Sequence, residues 1–540
     1  MKKNLLLALV VLGVIVALPL LLRHPSEQLP PARRQLVILT PHNESIRHEI
    51  ELAFREHHRR LHDGEEVAID WRAIGGTTEC VRYLKSTFMA NFQHDWCRRN
   101  PDFAWDDQVA AAIFSAKTPL DGSSAASRAR ADFLAGNVGV DIDLFMGGGQ
   151  YDYAGLAASG LLVPAGVQQR HPEWFAGEQP IMAPGGGGEI WYDREDRYYP
   201  SCFSSFGIIL NADRLKQAGF ASEEVERFGE RWRDLADPRL FQAIGIADPS
   251  QSGSITKCFE MLIQREMQDE IAKTHPGEAH PQPTPEELER AWTRALTLVK
   301  QLGGNAAYLT FSAGKIPSDA ATGQIAAGMC IDFYGRSQVD WELAHVGRPT
   351  VSYRTPHAAS TVSADPLGVL RGAPDRELAE EFIDFVLSPE AQRLWAKKAG
   401  APGGPVRYTL YRQPVRRDLY TPEELADTCI GDAQPFDLAR DFEYRGDWTG
   451  RLFTVMRVLI KVMIIDCGPE LRAAWQEILA QGGLEAISPE QRAAFEALPF
   501  RYAEAAQALS AISTPESQAT LQRQWIEFFR ESYARARRPQ

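Results

Sequence analysis

Basic residues are in deficit along this 540-residue chain: 58 Lys and Arg stand against 71 Asp and Glu, a formal net charge of −13. A protein that neutralises nucleic-acid phosphates needs a basic face, so no nucleic acid is expected as a partner. Cysteine is sparse too. The seven, at 80, 97, 202, 258, 330, 429 and 467, form no CxxC pair and no metal-ligand spacing, which argues against a zinc site or a dithiol redox centre. Most read as buried thiols; one bridge is open to them in an oxidising compartment, with a connectivity that sequence does not supply. GxSxG, HExxH and P-loop motifs are missing, and serines before helices make no triad without a placed histidine. The chain is not expected to be an enzyme, and no cofactor is expected.

Long apolar runs are confined to the N-terminus. Lys2 and Lys3 precede an uncharged stretch from Leu5 to Leu22, just long enough to cross a bilayer. No small-x-small cleavage site is clear before Arg23, which favours an uncleaved membrane anchor over a signal peptide in residues 1–25. No cysteine occurs before Cys80, so a lipid on an N-terminal cysteine is not indicated. The two lysines hold the N-terminus inside, so the remainder is expected to be periplasmic or extracytoplasmic and tethered to the inner membrane. With 44% hydrophobic residues, that remainder is long enough for two or three domains.

Strand, polar turn and helix then alternate. LVIL (36–39) leads through TPHN to a helix with the stripe Ile46, Ile50, Ala53, Phe54, His57 and Leu61, capped by Asn43. VAIDW (67–71) leads through AIGGTT to a helix with Val81, Leu84, Phe88, Phe92 and Trp96 on one face. DIDLFM (141–146) is closed by GGGQ before a helix over 151–159; FGIIL (206–210) and IGIA (244–247) follow as strands. This alternation predicts a mostly parallel sheet with helices on both faces, where ligands collect outside the carboxyl ends of the strands. MCIDFYGR (329–336) reads as a strand, Ser318 as the cap of the helix DAATGQIAAG, ADPLGVL (364–370) as the last strand, and 376–400 as a helix pair broken at Pro389. From 436 to 540 the apolar spacing is helical throughout. FTVMRVLIKVMII (453–465) is too short to span a membrane and carries Arg457 and Lys461, which predicts a core helix.

The stretch ADPSQSGSITKCFEMLIQ (247–264) runs from a strand through Ser250, Ser252, Gly253 and Ser254 into a helix with Ile255, Cys258, Phe259, Leu262, Ile263 and Met267 on one face. Two readings are open. Ser254 can cap the helix, or the hydroxyls and free amides at its start can cradle a polar or anionic group. Because this loop occupies the same topological slot as the other polar turns, the cradle is favoured.

At TPHNESIRHEI, IDWRAIGGTTECVRYL, IDLFMGGGQYDY, CFSSFGIILNADRL, ADPSQSGSITK and GMCIDFYGR, in that order over residues 35–430, the sequence resembles extracellular solute-binding proteins of ATP-binding-cassette importers, in the branch of ferric-iron and phosphonate binders. The resemblance implies an α/β, two-lobed type II periplasmic-binding-protein fold, in which the chain crosses a hinge twice, here with a helical C-terminal extension. Expected crossings near Ser204–Ile209 and Asp332–Arg336 put lobe 1 at 35–204 and 335–430, lobe 2 at 207–330, and the extension at 436–540, packed outside. The expected partners are a small-molecule or ion solute and a membrane permease, with the chain acting as a monomer.

Ligand contacts implied for lobe 1 are Thr40, His42, Asn43, Thr77, Thr78, Gly148 and Gly149; for the hinge and lobe 2, Ser204, Ser205, Ser252, Ser254 and Tyr334. Each has a plainer role as well: Asn43 and Thr77 as helix caps, the glycines as turn formers, Tyr334 as a core aromatic. His42 beside carboxylates raises a metal. Iron-binding members use a pair of adjacent tyrosines in the second lobe, but GGNAAYLTFSAGKIP holds only Tyr308, and the adjacent Tyr198 and Tyr199 precede the first crossing. An anion, a phosphonate or another small polar solute is therefore expected ahead of iron. A sensor for a membrane signalling partner is the alternative, with an enzyme using the same cleft behind it.

Overall fold

The computed structural model describes residues 34–278, 280–431, 434–512 and 515–537; the anchor expected at 1–25 lies outside the described residues. Two β-sheets organise the chain. The first has the order β2-β1-β3-β13-β4, with β7 also pairing on β13. Its strands are β1 (Arg34–Leu39), β2 (Val67–Arg72), β3 (Leu144–Met146), β4 (Leu162–Val163), β7 (Tyr199–Ser204) and β13 (Ser363–Leu370). The hairpin β5 (Gly185–Gly186) and β6 (Glu189–Ile190) stands apart. The second sheet has the order β10-β9-β11-β8-β12, made of β8 (Phe206–Asn211), β9 (Ile244–Ala247), β10 (Ala306–Thr310), β11 (Ala327–Ile331) and β12 (Val351–Arg354).

Both sheets are mixed, where a mostly parallel arrangement was expected. β1 runs parallel to β2 and β3, but β13 is antiparallel to β3, β4 and β7. In the second sheet β9 is parallel to β10 and β11, while β8 is antiparallel to β11 and β12. The antiparallel strands are those beside the passages between sheets, where the chain enters or returns without a helical crossover.

The first passage is abrupt: β7 ends at Ser204 and β8 begins at Phe206. The return differs from expectation. Asp332 opens a helix, α6 (Asp332–Val346), instead of continuing the strand, and β12 then pairs with β8, from Val351 opposite Asn211 to Arg354 opposite Ile208. Residues up to 354 thus belong to the second sheet, and the chain returns between Arg354 and Ser363. Asp332 joins the passages. Its Oδ2 accepts from the Ser205 amide (3.0 Å) and from Gln413 Nε2 (2.5 Å), while its own amide donates to the Ser205 carbonyl.

Helices labelled here are α1 (Glu44–Leu61), α2 (Thr77–Arg99), α3 (Gln150–Ser159), α4 (Gly253–Ile271), α5 (Pro285–Gly304), α6, α7 (Arg376–Leu387), α8 (Pro389–Ala396), α9 (Phe453–Ile460), α10 (Gly468–Ala480), α11 (Pro489–Glu496) and α12 (Pro515–Arg537). Asn43 caps α1 through the Ile46 amide. On α1 the buried face includes Glu49 and His58, while Leu61 is 59% exposed. Ser318 is not a cap. It lies inside a short helix, Lys315–Ala321, because Pro317 fits a first turn where its missing amide is not needed.

The helical extension is not an outer layer. Its residues Phe453, Met456, Met463, Trp475, Phe529 and Tyr533 share one apolar cluster with the second sheet, α4 and α5. Two glycines of α5 make the fit: a Cβ on Gly303 would lie 2.7 Å from Ile464, and one on Gly304 2.4 Å from Trp475. Trp475 Nε1 donates to Asn305 (2.9 Å) and Tyr533 to the Met463 carbonyl (2.9 Å). After Ile460 the helix widens into a π turn, Lys461–Asp466. Among the described residues no helix is long and apolar enough to cross a membrane.

Candidate ligand-binding cleft

A cavity of about 410 Å³ opens between the two sheets, within the range of small-molecule sites. Its first-lobe wall contains His42, Asn43, Gly76, Thr77, Gly148, Gly149 and Asp365; the opposite wall contains Gln251, Ser252, Gly253, Ser254 and Tyr334. The walls approach closely, for a Cβ on Gly76 would sit 3.5 Å from the Gln251 carbonyl. Thr77 and Ser252 face one shared opening.

Sequence chemistry shapes each turn. Gly147 and Gly148 have φ of +99° and +115°, a region that costs a side-chain residue energy. Space is closed to one as well: a Cβ would meet His42 at 2.8 Å and the Thr77 methyl at 2.6 Å. The Gly148 amide is thereby free to donate to Asp365 Oδ1 (2.7 Å). Across the cavity, Ser252 caps α4, accepting from the Ile255 amide; Ser254, the cap in the less favoured of the two sequence readings, is inside the first turn.

Asp365 centres a buried polar group. His42 Nε2 lies 3.2 Å from its Oδ2 and Arg412 Nη2 donates to the same oxygen at 2.6 Å; a second Arg412 nitrogen reaches Ser204. Burial pushes this carboxyl up, but His42, Arg412 and the Gly148 amide hold it below the usual carboxylate range. A second group ties the hairpin β5–β6, α4 and the C-terminal extension together. Lys257 lies 2.7 Å from Glu189 and 2.9 Å from Glu260, beneath the Tyr444 ring. Burial pulls its ammonium down, and the two carboxylates outweigh burial to keep it above the ordinary value.

The sequence of residues 117–418, more than half of the chain, matches the family model described as bacterial extracellular solute-binding protein. The chain belongs to the bacterial extracellular solute-binding proteins. Membership implies an extracytoplasmic location. No curated protein sequence matches this one. Similar solved structures include the periplasmic binding protein AfuA from Actinobacillus pleuropneumoniae with fructose-6-phosphate bound (17% identity, 76% of this chain and 95% of that one, TM-score 0.43). Iron-bound HitA from Pseudomonas aeruginosa is similar at 12% identity, over 79% of this chain and 99% of that one, with a TM-score of 0.43. The spermidine/putrescine transporter substrate-binding protein PotD from Streptococcus pneumoniae is similar at 13% identity, over 79% and 98%, with a TM-score of 0.45.

Within this solute-binding protein, nine of the residues picked from sequence line the cavity: His42, Asn43, Thr77, Gly148, Gly149, Ser204, Ser252, Ser254 and Tyr334. Three do not. Thr40 is fully buried and accepts from the His42 amide, Thr78 faces Arg457, and Ser205 is held at the hinge by Asp332. The adjacent tyrosines are core residues. Tyr198 accepts from Gln150 and Tyr199 bonds to Asp196, while Tyr308 bonds to Asp319. Among the described residues, the close His/Cys/Asp/Glu group that could hold an ion is His58, His62 and Glu381, none of which lines the cavity.

Asp152, Glu189, Lys257, Asp365, Arg412, Tyr444 and Phe453 also line the cavity and were missed from sequence. Asp365 had a signal: a carboxylate inside an otherwise apolar strand, which burial makes costly unless paired. Arg412 had none, since the stretch around it has no periodicity.

Proposed function

We propose that the chain captures a small polar or anionic solute, a phosphonate or related anion ahead of a metal ion, in the cavity between its two lobes and delivers it to an ATP-binding-cassette permease. The observation that carries this reading is the shared cavity, with backbone turns and hydroxyls presented from both walls. Asn43, Thr77, Gly148, Gly149, Ser252, Ser254 and Tyr334 are the proposed contacts. Thr40 and Ser205 act behind them, through His42 and the hinge. An N-terminal anchor would keep the receptor beside its permease. Solute that touches both walls binds the closed form better than the open one, and that difference in affinity shifts the population towards closure.

Small-angle X-ray scattering tests the switch. Protein as purified is compared with protein stripped of small molecules by unfolding and refolding. The stripped form is expected to be more extended, and to contract again when the released small-molecule fraction is restored. Identical scattering in all three states contradicts capture by closure.

A further inference from the structure

The C-terminal extension does more than complete the second core, because it forms part of the cavity wall through Tyr444, Gly446, Gly450 and Phe453. One turn beyond Phe453, on the same face of α9, is Arg457, only 9% exposed. Its Nε donates to Thr256 Oγ1 on α4 (3.2 Å) and its Nη1 to Thr78 Oγ1 on α2 (3.3 Å). It thus bridges the first turns of one long helix from each wall. Its Nη2 is buried without a hydrogen-bond partner among the described residues, and lies 3.2 Å from where a Cβ on Gly253, a cavity-lining residue, would sit.

The electrostatics of this placement are incomplete. Two helix N-termini already carry partial positive charge and unsatisfied amides, and a guanidinium set between them is unfavourable unless an anion joins the group. The cations that line the cavity are neutralised, Arg412 by Asp365, and Lys257 by Glu189 and Glu260; Arg457 lies just behind the lining, against Gly253. Arg457 is in no ion pair among the described residues. Asp152, in the first turn of α3, is the carboxylate that faces it. Burial raises the Asp152 carboxyl while Arg457 and Lys85 pull it down, with a net rise, and no hydrogen bond joins Asp152 to the Arg457 guanidinium among the described residues.

We propose that Arg457 is an anion-binding residue of the cleft, receiving through Nη2 a phosphorus oxyanion, phosphate or phosphonate, seated against the first turns of α2 and α4. This rests on the cleft-capture reading above and adds that the extension belongs to the binding site. Donors that converge from an arginine and from two helix starts suit an anion with three acceptor oxygens better than a two-oxygen carboxylate.

Isothermal titration calorimetry on the full chain in detergent, with inorganic phosphate, methylphosphonate and acetate as probes, tests the proposal. Variants are Arg457→Gln, Arg457→Lys and Ser254→Trp, the last filling the cavity while leaving the Ser252 cap intact; thermal melts establish that each is folded. Wild type is expected to bind phosphate or methylphosphonate more tightly than acetate. Arg457→Gln should weaken that binding by about 30-fold, Arg457→Lys by less, and Ser254→Trp should abolish it. Binding unchanged in Arg457→Gln but lost in Ser254→Trp overturns the role of Arg457 and leaves cleft capture standing. Binding that survives Ser254→Trp places the anion elsewhere and overturns both. Wild type that binds neither phosphorus anion overturns the proposal alone.

Discussion

His42 and Asp365 are 323 residues apart in the chain, yet His42 Nε2 lies 3.2 Å from Asp365 Oδ2, and Arg412 donates to that same oxygen at 2.6 Å. One carboxylate therefore anchors three segments of the first lobe at the cavity edge. Asp365→Asn leaves the buried Arg412 charge uncompensated, which should cost about 3 kcal/mol or more in denaturant unfolding. The pH dependence has a defined sign. The carboxyl sits below its ordinary value in the folded protein, so its contribution is present above the unfolded value of about 4 and is lost as pH falls through the folded one. Asp365→Asn should flatten the acid limb of the stability curve; an unchanged limb would show that the pair contributes nothing.

Gly148 and Thr77 are in steric contact by design of the turn. Gly148→Ala adds a methyl where φ is +115° and where the Thr77 methyl would be 2.6 Å away. The expected loss is about 2–3 kcal/mol. Thr77→Ser removes the clashing methyl but not the backbone strain, so the double variant should recover part of the loss. Full additivity of the two substitutions in a double-mutant cycle would show that they do not touch.

The extension and the second sheet should unfold as one body. Trp475→Ala is expected to cost about 3–5 kcal/mol, and a chain ending at residue 435 should lose the cooperative transition of the second lobe, because its α5 face would be exposed at Gly303 and Gly304. A truncated chain that melts like the intact one would make the extension an appendage.

Lys300 gives a second pH test. Its ammonium donates to the carbonyls of Phe495 and Ala497, and burial pulls it down to about 7, with Glu496 opposing. Between about pH 7 and the ordinary lysine value near 10.4, the unfolded chain holds more protons, so this group makes stability rise with pH. Buried cysteines, such as Cys80 and Cys202 pushed up to about 12, act oppositely above about pH 8.5. The comparison is therefore made between pH 7 and 8.5 against Lys300→Met. Wild type should gain about 1–2 kcal/mol over the variant across that interval, and parallel curves would refute the shifted lysine.

Much of the site was legible because it is built from local signals. Polar turns after strands mark where helices begin, and Asn43, Thr77, Gly148 and Ser252 are read from neighbours a few residues away. Where the sequence reading failed, the deciding contact was distant. The chain turns at Asp332 because that carboxylate is tied to Ser205, 127 residues earlier. The pairing of β12 with β8 and the seating of the extension on α5 likewise depend on partners that no window of the sequence contains. Arg457 was visible only as a charge that argued against a membrane span, while its place beside Thr78 and Thr256 follows from how the lobes and the extension meet.

Native mass spectrometry of the gently purified protein, wild type against Ser254→Trp, tests cleft capture most directly. The expected result is a wild-type protein carrying one small-molecule mass per chain, absent from the folded variant whose cavity is filled. A bound mass retained equally by Ser254→Trp, or wild type that takes up no small solute, would contradict it.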